Sequence, residues 1–223
     1  MPIEKCLKVA ALASAALVAA AAPSRSDDLI KPRLDVNSAF CAGTGDCAVS
    51  VFAGPRLDTH MVSVFGISNF VAPTRYQYGN SWITGGTFSR RLLSVGPVDF
   101  EGEIGAGKRW GSLGEGEGWI ALYGRWTWFP WNEYVRTTVA VSTGLTLATG
   151  NPQYEIRREG VKGAYLLHYL SPEITFAPPK SQWEGFLRLH HRSGGGDFIG
   201  DTSIFKGASG GAQYLVSGIR YRF

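Results

Sequence analysis

Apolar runs long enough to cross a membrane as a helix are absent from this 223-residue sequence beyond its N-terminal segment. A helical span needs about 18 or more such residues, so transmembrane helices are excluded. Low-complexity tracts and repeats of about 20–50 residues are missing too, and nothing suggests a second domain. Charged residues make up only 18%, the net charge is +4, and neither a basic run nor an aromatic stacking motif occurs. Nucleic acid is therefore not an expected partner.

The N-terminal segment has the layout of a secretory signal peptide. Two lysines precede a run of small and apolar residues over 9–22, which is too short and too rich in alanine for a membrane span. Ala21 satisfies the small-x-small rule for cleavage, and Ser26 is the alternative. We assign residues 1–26 to the signal peptide and residues 27–223 to a single exported domain.

Cysteine is scarce. Of three cysteines, only Cys41 and Cys47 remain after the signal peptide, in the stretch CAGTGDC. An even number in an exported chain favours a disulfide, which would pin a turn near the mature N-terminus. Neither a histidine nor a further cysteine lies nearby, so a metal site is not expected. Nothing in the sequence indicates a cofactor.

What the sequence does contain is glycine, 29 residues, and aromatics at 13%, a composition that suits a β protein with aromatic girdles. The sequence contains eight segments that alternate between apolar and polar residues and are bounded by Gly, Pro, Asn or Asp. All but the first are near or above the roughly 9–11 residues that a tilted membrane strand needs. They cover about 48–55, 76–90, 97–109, 117–129, 134–149, 163–177, 182–193 and 212–223.

The connections between these segments alternate in character. Three are short, and four are mostly longer and rich in glycine and polar residues; short turns with longer external loops and an even strand number are typical of outer-membrane barrels. The sequence therefore predicts an all-β fold, an eight-stranded antiparallel β-barrel in the bacterial outer membrane. The strand register is least well defined by the sequence over residues 48–75. The short turns are 91–96, 130–133 and 178–181, and the longer loops are 56–75, 110–116, 150–162 and 194–211.

Acids and arginines fall on one parity of several predicted strands. A lipid-facing Arg or Lys costs about 2–4 kcal/mol at the midplane, so these side chains should point inward and pair there. We interpret the cluster as a structural salt-bridge plug, with a proton or ion path as the alternative; a pore is disfavoured because eight strands leave little lumen. The set is Glu101, Glu103, Arg125, Arg136, Glu184 and Arg188.

The last residues, AQYLVSGIRYRF, alternate with period two and end at Phe223. This pattern resembles the C-terminal strand of bacterial outer-membrane barrels, in which a terminal Phe is part of the assembly signal. The resemblance implies that the barrel assembly machinery of the outer membrane is a partner through Phe223.

The stretch QWEGFLRLHHRSG, residues 182–194, places two histidines beside a serine. Alternation puts His191 and Ser193 on the lipid-facing side, at the outer end of the seventh strand. Serine is a weak nucleophile that needs a base, and a histidine two residues away on one face of a strand can reach its hydroxyl. His190 then faces inward, as a plug residue bonded to Glu184 or a neighbouring acid. The other two histidines, at 60 and 168, receive a structural interpretation.

The stretch HHRSGG near the end of the penultimate strand, the final strand GIRYRF and the eight-strand plan resemble the lipid A 3-O-deacylase (PagL) family. The resemblance is specific over about 182–223. It implies an outer-membrane serine esterase that removes a 3-O-linked acyl chain from lipid A, with Ser193 as nucleophile and His191 as base. Lipid A of the outer-leaflet lipopolysaccharide is the implied partner, and Arg192 and Lys206 are candidates to contact its phosphates.

The family also uses an acid that orients the histidine, and here the sequence departs from the pattern. Parity puts Gln213 where the family's Glu is expected; its amide oxygen can accept from the imidazole N–H but brings no charge. Asp197 and Asp201 in the preceding loop are alternatives. The oxyanion hole would use backbone N–H groups near Gly194 and Gly195.

The alternative to an esterase is a non-catalytic structural or adhesive barrel in which the family's site has decayed. Gln213 and the glycine-expanded loop 194–211 favour that interpretation. The sequence leaves open the acyl position and chain length, and whether the barrel forms a homodimer.

Overall fold

Ten β-strands account for most of the regular structure in the part of this chain that the computed structural model describes. The structure describes residues 33–34, 40–41, 45–66, 69–112, 114–149, 164–194, 205 and 211–223, all within one compact unit, 32–223. The predicted signal peptide lies outside the described residues. The strands are β1 (Arg33–Leu34), β2 (Cys47–Leu57), β3 (Tyr78–Val95), β4 (Val98–Gly111), β5 (Gly116–Trp126), β6 (Arg136–Ala148), β7 (Leu166–Leu170), β8 (Glu173–Ala177), β9 (Trp183–Ser193) and β10 (Gly211–Arg222).

Antiparallel pairing closes these strands into a barrel. Strands β2 to β6 follow one another around the ring, β7 and β8 share the next position, and β9 and β10 lead back to β2. The shared position is divided at Pro172, which has no N–H to contribute to the ladder, although its carbonyl accepts the N–H of Leu189 at 2.9 Å. The ring thus has eight positions, and the predicted eight-stranded antiparallel barrel is confirmed.

Two connections are shorter than predicted, whereas the turn expected over 130–133 is longer and spans 127–135, because β5 ends at Trp126 and β6 begins at Arg136. Strand β3 continues to Val95, so the turn expected over 91–96 is reduced to Gly96 and the proline after it; a φ of 56° at Gly96 explains the glycine. The additional residues of β3 are paired with neighbouring strands, since Leu93 lies opposite a residue of β1 and a residue of β4. The loop expected over 110–116 is shortened to residues 112–115. In both cases the strands are longer than alternation alone indicated.

The two ends of the barrel sequence meet at its seam. The N–H of Phe223 donates to the carbonyl of Cys47 at 2.9 Å, and the N–H of Cys47 donates to the carbonyl of Phe223 at 3.2 Å. Cys47 also forms the predicted disulfide with Cys41, which is confirmed. The disulfide therefore adjoins the point where the last strand pairs with the first long one.

The barrel interior is charged and its outer wall is apolar. Arg188 donates to both oxygens of Glu103 at 3.0 and 2.8 Å and to Glu173 at 2.8 Å. Arg125 donates to Glu173 at 2.8 Å, and these four side chains are at most 4% exposed. Residues of the opposite parity are large, apolar and exposed: Val51, Ile104, Ile120, Val141, Leu147, Leu187 and Ile219.

This inside-out arrangement suits a barrel surrounded by lipid. The predicted pairing is confirmed for all six residues named from the sequence, and Arg136 Nη2 lies 3.8 Å from Glu184 Oε2. Arg136 lies at the rim, with a 30% exposed side chain, and donates to the carbonyl of Ser181 at 2.9 Å. Among the described residues, no helix is long and apolar enough to cross a membrane.

Candidate active site

Strands β9 and β10 bring the predicted histidine and its orienter together on the outer wall. His191 lies directly opposite Gln213 in the register of the two strands. The interior residues on either side of His191, which are His190 and Arg192, are at most 1% exposed, so alternation turns His191 and Ser193 outward. The predicted facing of this stretch is confirmed.

Hydrogen bonds define the orientation of the Gln213 amide. Its Nε2 donates to the backbone carbonyl of Thr59, and its Oε1 lies 3.2 Å from Nδ1 of His191. Because a carbonyl can only accept, the amide nitrogen must face Thr59 and the amide oxygen must face the imidazole. The proton of His191 is thereby assigned to Nδ1, which leaves Nε2 with the lone pair that a base requires.

Ser193 follows on the same face, two residues after His191. Their Cα atoms are separated by about 7 Å along the strand, a span over which an imidazole can approach a hydroxyl. Ser193 lies opposite Gly211 of β10 and His168 of β7. A Cβ at Gly211 would lie 1.7 Å from the carbonyl oxygen of Arg192, so glycine is required for the two strands to approach this closely beside the serine.

An apolar groove adjoins this site on the outer wall. The connection between β2 and β3, described over 58–66 and 69–77 and called the covering segment below, contains a short helix, Met61–Val64, and lines a cavity together with residues of the outer wall. The cavity has a volume of about 400 Å³. Leu187, Leu189 and Leu215 line its barrel side, and Val64, Phe65, Pro73, Tyr76 and Tyr78 line the covering side.

The position of this groove links it to His191. Leu189 precedes His191 by two residues on the same face and is only 4% exposed, although Leu187, two residues before Leu189, is 45% exposed. The covering segment therefore begins to shield the wall just below the imidazole. The same segment supplies the Thr59 carbonyl that holds Gln213.

A polar network stands behind the site, inside the barrel. His190 bonds through Nε2 to Glu117 and through Nδ1 to the hydroxyl of Tyr169 at 3.1 Å. The inward position expected for His190 is confirmed, and of the two expected partners, Glu184 or a neighbouring acid, the second is observed in Glu117. Glu184 is six residues away on the same strand, roughly 20 Å along it, and bonds to Arg220 and Arg222 instead.

The remaining predicted site residues are Arg192, Gly194, Gly195, Asp197, Asp201 and Lys206. Gly194 is buried directly after Ser193. Gly195, Asp197 and Asp201 lie outside the described residues, as does Lys206, so the oxyanion pair and the alternative orienters stay predictions. Arg192 is 1% exposed and lies inside the barrel, with Nη1 3.8 Å from Glu117; it does not face the leaflet as a phosphate contact would.

The structure places a further histidine beside the site, one for which the sequence predicted only a structural role. His168 of β7 lies opposite Ser193, and its Nε2 is 2.9 Å from Oγ1 of Thr143. Its neighbours Leu167 and Tyr169 are fully buried inside, so His168 points outward. The sequence signal for this position was the parity of His168 on the sixth predicted strand, which places its side chain on the outer wall.

Comparisons with known proteins add little on function. No family model matches the chain, and no curated protein matches it. Among solved structures, neisserial surface protein A (NspA) is similar: the match covers 81% of this chain and 98% of that chain, with a TM-score of 0.46 and 8% sequence identity. Function must therefore be argued from the residues of this chain.

Proposed function

We propose that this chain is an outer-membrane serine esterase that removes an ester-linked acyl chain, at the 3-O position, from lipid A. The observation that carries the proposal is the hydrogen-bonded pair of His191 and Gln213 on the apolar outer wall, with Ser193 two residues further on the same face. Polar side chains are costly on a lipid-facing surface and are expected there when they have a function.

Acyl transfer to the serine is the first step. Oγ of Ser193 attacks the ester carbonyl carbon while its proton passes to Nε2 of His191. The tetrahedral intermediate collapses with cleavage of the bond to the sugar oxygen, which takes the proton from His191. Water then attacks the acyl-serine, His191 accepts and returns the second proton, and the products are a free fatty acid and regenerated serine.

Gln213 orients the base in this scheme but does not neutralise it. Its Oε1 accepts from Nδ1 of His191 in every step, which keeps Nε2 directed away from Gln213. A carboxylate in this place would also stabilise the imidazolium that forms transiently. The amide therefore supports the correct tautomer at a lower rate than an acid would.

The groove below His191 suits the hydrocarbon part of the substrate. Its lining is mostly Leu, Val, Ile, Phe and Tyr side chains, and Leu187, Leu189 and Leu215 on the outer wall of the barrel form one side of it. An acyl chain in the groove would leave its ester at the level of His191 and Ser193, as expected for lipid A, whose ester bonds lie at the boundary between headgroup and acyl chains. The groove thus supports a lipid substrate over a water-soluble ester.

The apolar outer wall of the barrel and the predicted signal peptide both support the proposed location. Exposed apolar residues surround the barrel and the charges lie inside it, which favours insertion in a bilayer. Phe223, paired with Cys47 at the seam, is the proposed point of contact with the barrel assembly machinery. The bacterial outer membrane is the compartment where these features and lipid A coincide.

Mass spectrometry of lipid A tests the proposal. The full chain is expressed in an outer membrane that carries acylated lipid A, beside Ser193→Ala and His191→Ala. Ser217→Ala, which changes an exposed serine on the outer wall of β10, is the matched control. Folding of each variant is checked by the mobility difference between heated and unheated samples on a gel.

We expect lipid A to lose the mass of one hydroxyacyl chain with the wild type and the control, and to keep it with both site variants. Unchanged lipid A beside a folded wild-type barrel would contradict the esterase and favour the alternative of a non-catalytic structural or adhesive barrel. If Ser193→Ala still removes the acyl chain from lipid A, the activity belongs to another residue.

A further inference from the structure

His168 lies directly across from the proposed nucleophile. In the register of β7 and β9, His168 pairs with Ser193 and Leu170 pairs with His191. Side chains directly opposite in an antiparallel sheet have Cβ atoms about 4.5–5.5 Å apart and interact. Both side chains point to the outer wall and both are half-buried. Ser193 is therefore flanked by two imidazoles, one on its own strand and one on the neighbouring strand.

The two imidazoles differ in what holds them. His191 is held through Nδ1 by the amide of Gln213, whereas His168 is held through Nε2 by the hydroxyl of Thr143 at 2.9 Å. Thr143 belongs to β6, on the side of β7 that is away from β9. The bond thus draws one nitrogen of His168 away from Ser193 and leaves the other nitrogen, Nδ1, without a hydrogen bond to any other residue that the structure describes.

The Thr143 bond is compatible with the proton of the neutral ring on either nitrogen, and the proposal below uses the tautomer in which Nδ1 carries it. A threonine hydroxyl can donate as well as accept. When the hydroxyl donates to Nε2, the proton of the neutral ring sits on Nδ1. His168 then offers an N–H donor beside Ser193, while His191 offers a lone pair. The two rings have opposite hydrogen-bonding roles toward a group bound at the serine.

Ester hydrolysis needs a donor of this kind. Attack on the carbonyl places negative charge on its oxygen, and fixed N–H groups that point at this oxygen supply a large part of the rate enhancement. We propose that His168 is a catalytic residue that donates a hydrogen bond from Nδ1 to the ester carbonyl oxygen and stabilises the oxyanion. This inference rests on the esterase function proposed above and adds a side-chain donor to the backbone donors near Gly194.

Kinetics of purified variants test this assignment. Release of fatty acid from purified lipid A in detergent micelles is measured against substrate concentration and pH for the wild type, His168→Ala, His168→Gln and Thr143→Val. Thr84→Val is the matched control, because Thr84 accepts a 2.9 Å hydrogen bond from the Trp110 ring nitrogen on the outer wall of β3. Ser193→Ala and His191→Ala are measured alongside.

We expect His168→Ala to lower kcat about 10²- to 10³-fold, the usual effect of removing one oxyanion donor, with little change in KM. His168→Gln should retain more activity than His168→Ala because its amide N–H can still donate. Thr143→Val should lower kcat by roughly 2- to 10-fold, the size of one lost neutral hydrogen bond, and Thr84→Val should leave it unchanged.

The pH profile separates a donor from a base. Loss of His168 should lower the rate evenly across pH, whereas loss of His191 should remove the pH dependence that the base imposes. An unchanged kcat in both His168 variants, or a change confined to KM, would overturn the proposed role of His168. The esterase function would still stand in that case, provided that Ser193→Ala is inactive. An inactive wild type would instead contradict the proposed function itself.

Discussion

Replacement of Gln213 separates its two hydrogen bonds, one to the base and one to the covering segment. Gln213→Leu removes both bonds, whereas Gln213→Glu keeps an acceptor for Nδ1 of His191 and loses the donor to the Thr59 carbonyl. Both substitutions preserve the approximate size of the side chain. The pair of variants therefore distinguishes a catalytic contribution from a structural one.

The expected losses of stability and of rate follow from the burial of Gln213. Gln213 is 7% exposed, so a carbonyl of Thr59 left without its donor costs about 1–3 kcal/mol of unfolding free energy. Both variants should lose this amount. Removing the acceptor from His191 costs a similar amount in the transition state, and about 1–3 kcal/mol corresponds to a roughly 5- to 150-fold lower kcat. Only Gln213→Leu should show this loss of rate.

Gln213→Glu should hydrolyse lipid A at least as fast as the wild type, because hydrogen bonds to a charged acceptor are roughly twice as strong. Thermal unfolding in detergent and fatty-acid release measure the two effects on the same samples. Equal rates for Gln213→Leu and the wild type would refute the idea that this amide orients the base. Equal stabilities for all three proteins would refute its bond to the covering segment.

Three further substitutions test the geometry around the site. Gly211→Ala should destabilise the outer end of β10 and abolish hydrolysis, because its Cβ would meet the Arg192 carbonyl oxygen at 1.7 Å; a fully active, stable variant in the gel-shift and lipid A assays would contradict this. Leu189→Trp should fill the groove and raise KM at least tenfold while the barrel still folds, as measured by fatty-acid release; an unchanged KM would place the acyl chain elsewhere. Arg188→Met should lower the unfolding free energy by about 3–5 kcal/mol, because Glu103 would lose a buried bidentate partner; a melt in detergent within about 1 kcal/mol of the wild type would show that the plug is dispensable.

The barrel fold could be predicted because inward-facing and outward-facing residues simply alternate along each strand. Charges on one parity and large apolar residues on the other are readable from single strands, as Glu103 and Ile104 illustrate with 3% and 58% exposure. The pairing of His191 with Gln213 was also accessible, since both lie on the outward-facing parity of adjacent strands near one end. These features depend on strand periodicity, which is local in sequence.

Features that depend on register or on irregular segments could not be predicted in the same way. A hairpin centred on the turn expected at 178–181 pairs Ser193 with Leu166, whereas the observed partner is His168. A shift of two residues keeps the parity but changes which side chain faces the serine. The covering segment around Thr59 has no periodicity, so neither the groove nor the second bond of Gln213 could be inferred.

Covalent labelling of the serine tests the central claim, which is that His191 activates Ser193 on the outer wall. The folded wild-type barrel in detergent is treated with an alkyl fluorophosphonate, and the modified residue is located by mass spectrometry of its peptides. We predict an adduct on Ser193 that forms at least 10²-fold more slowly in His191→Ala. No adduct at residue 193 in a folded barrel, or an adduct that forms equally fast without His191, would contradict the account.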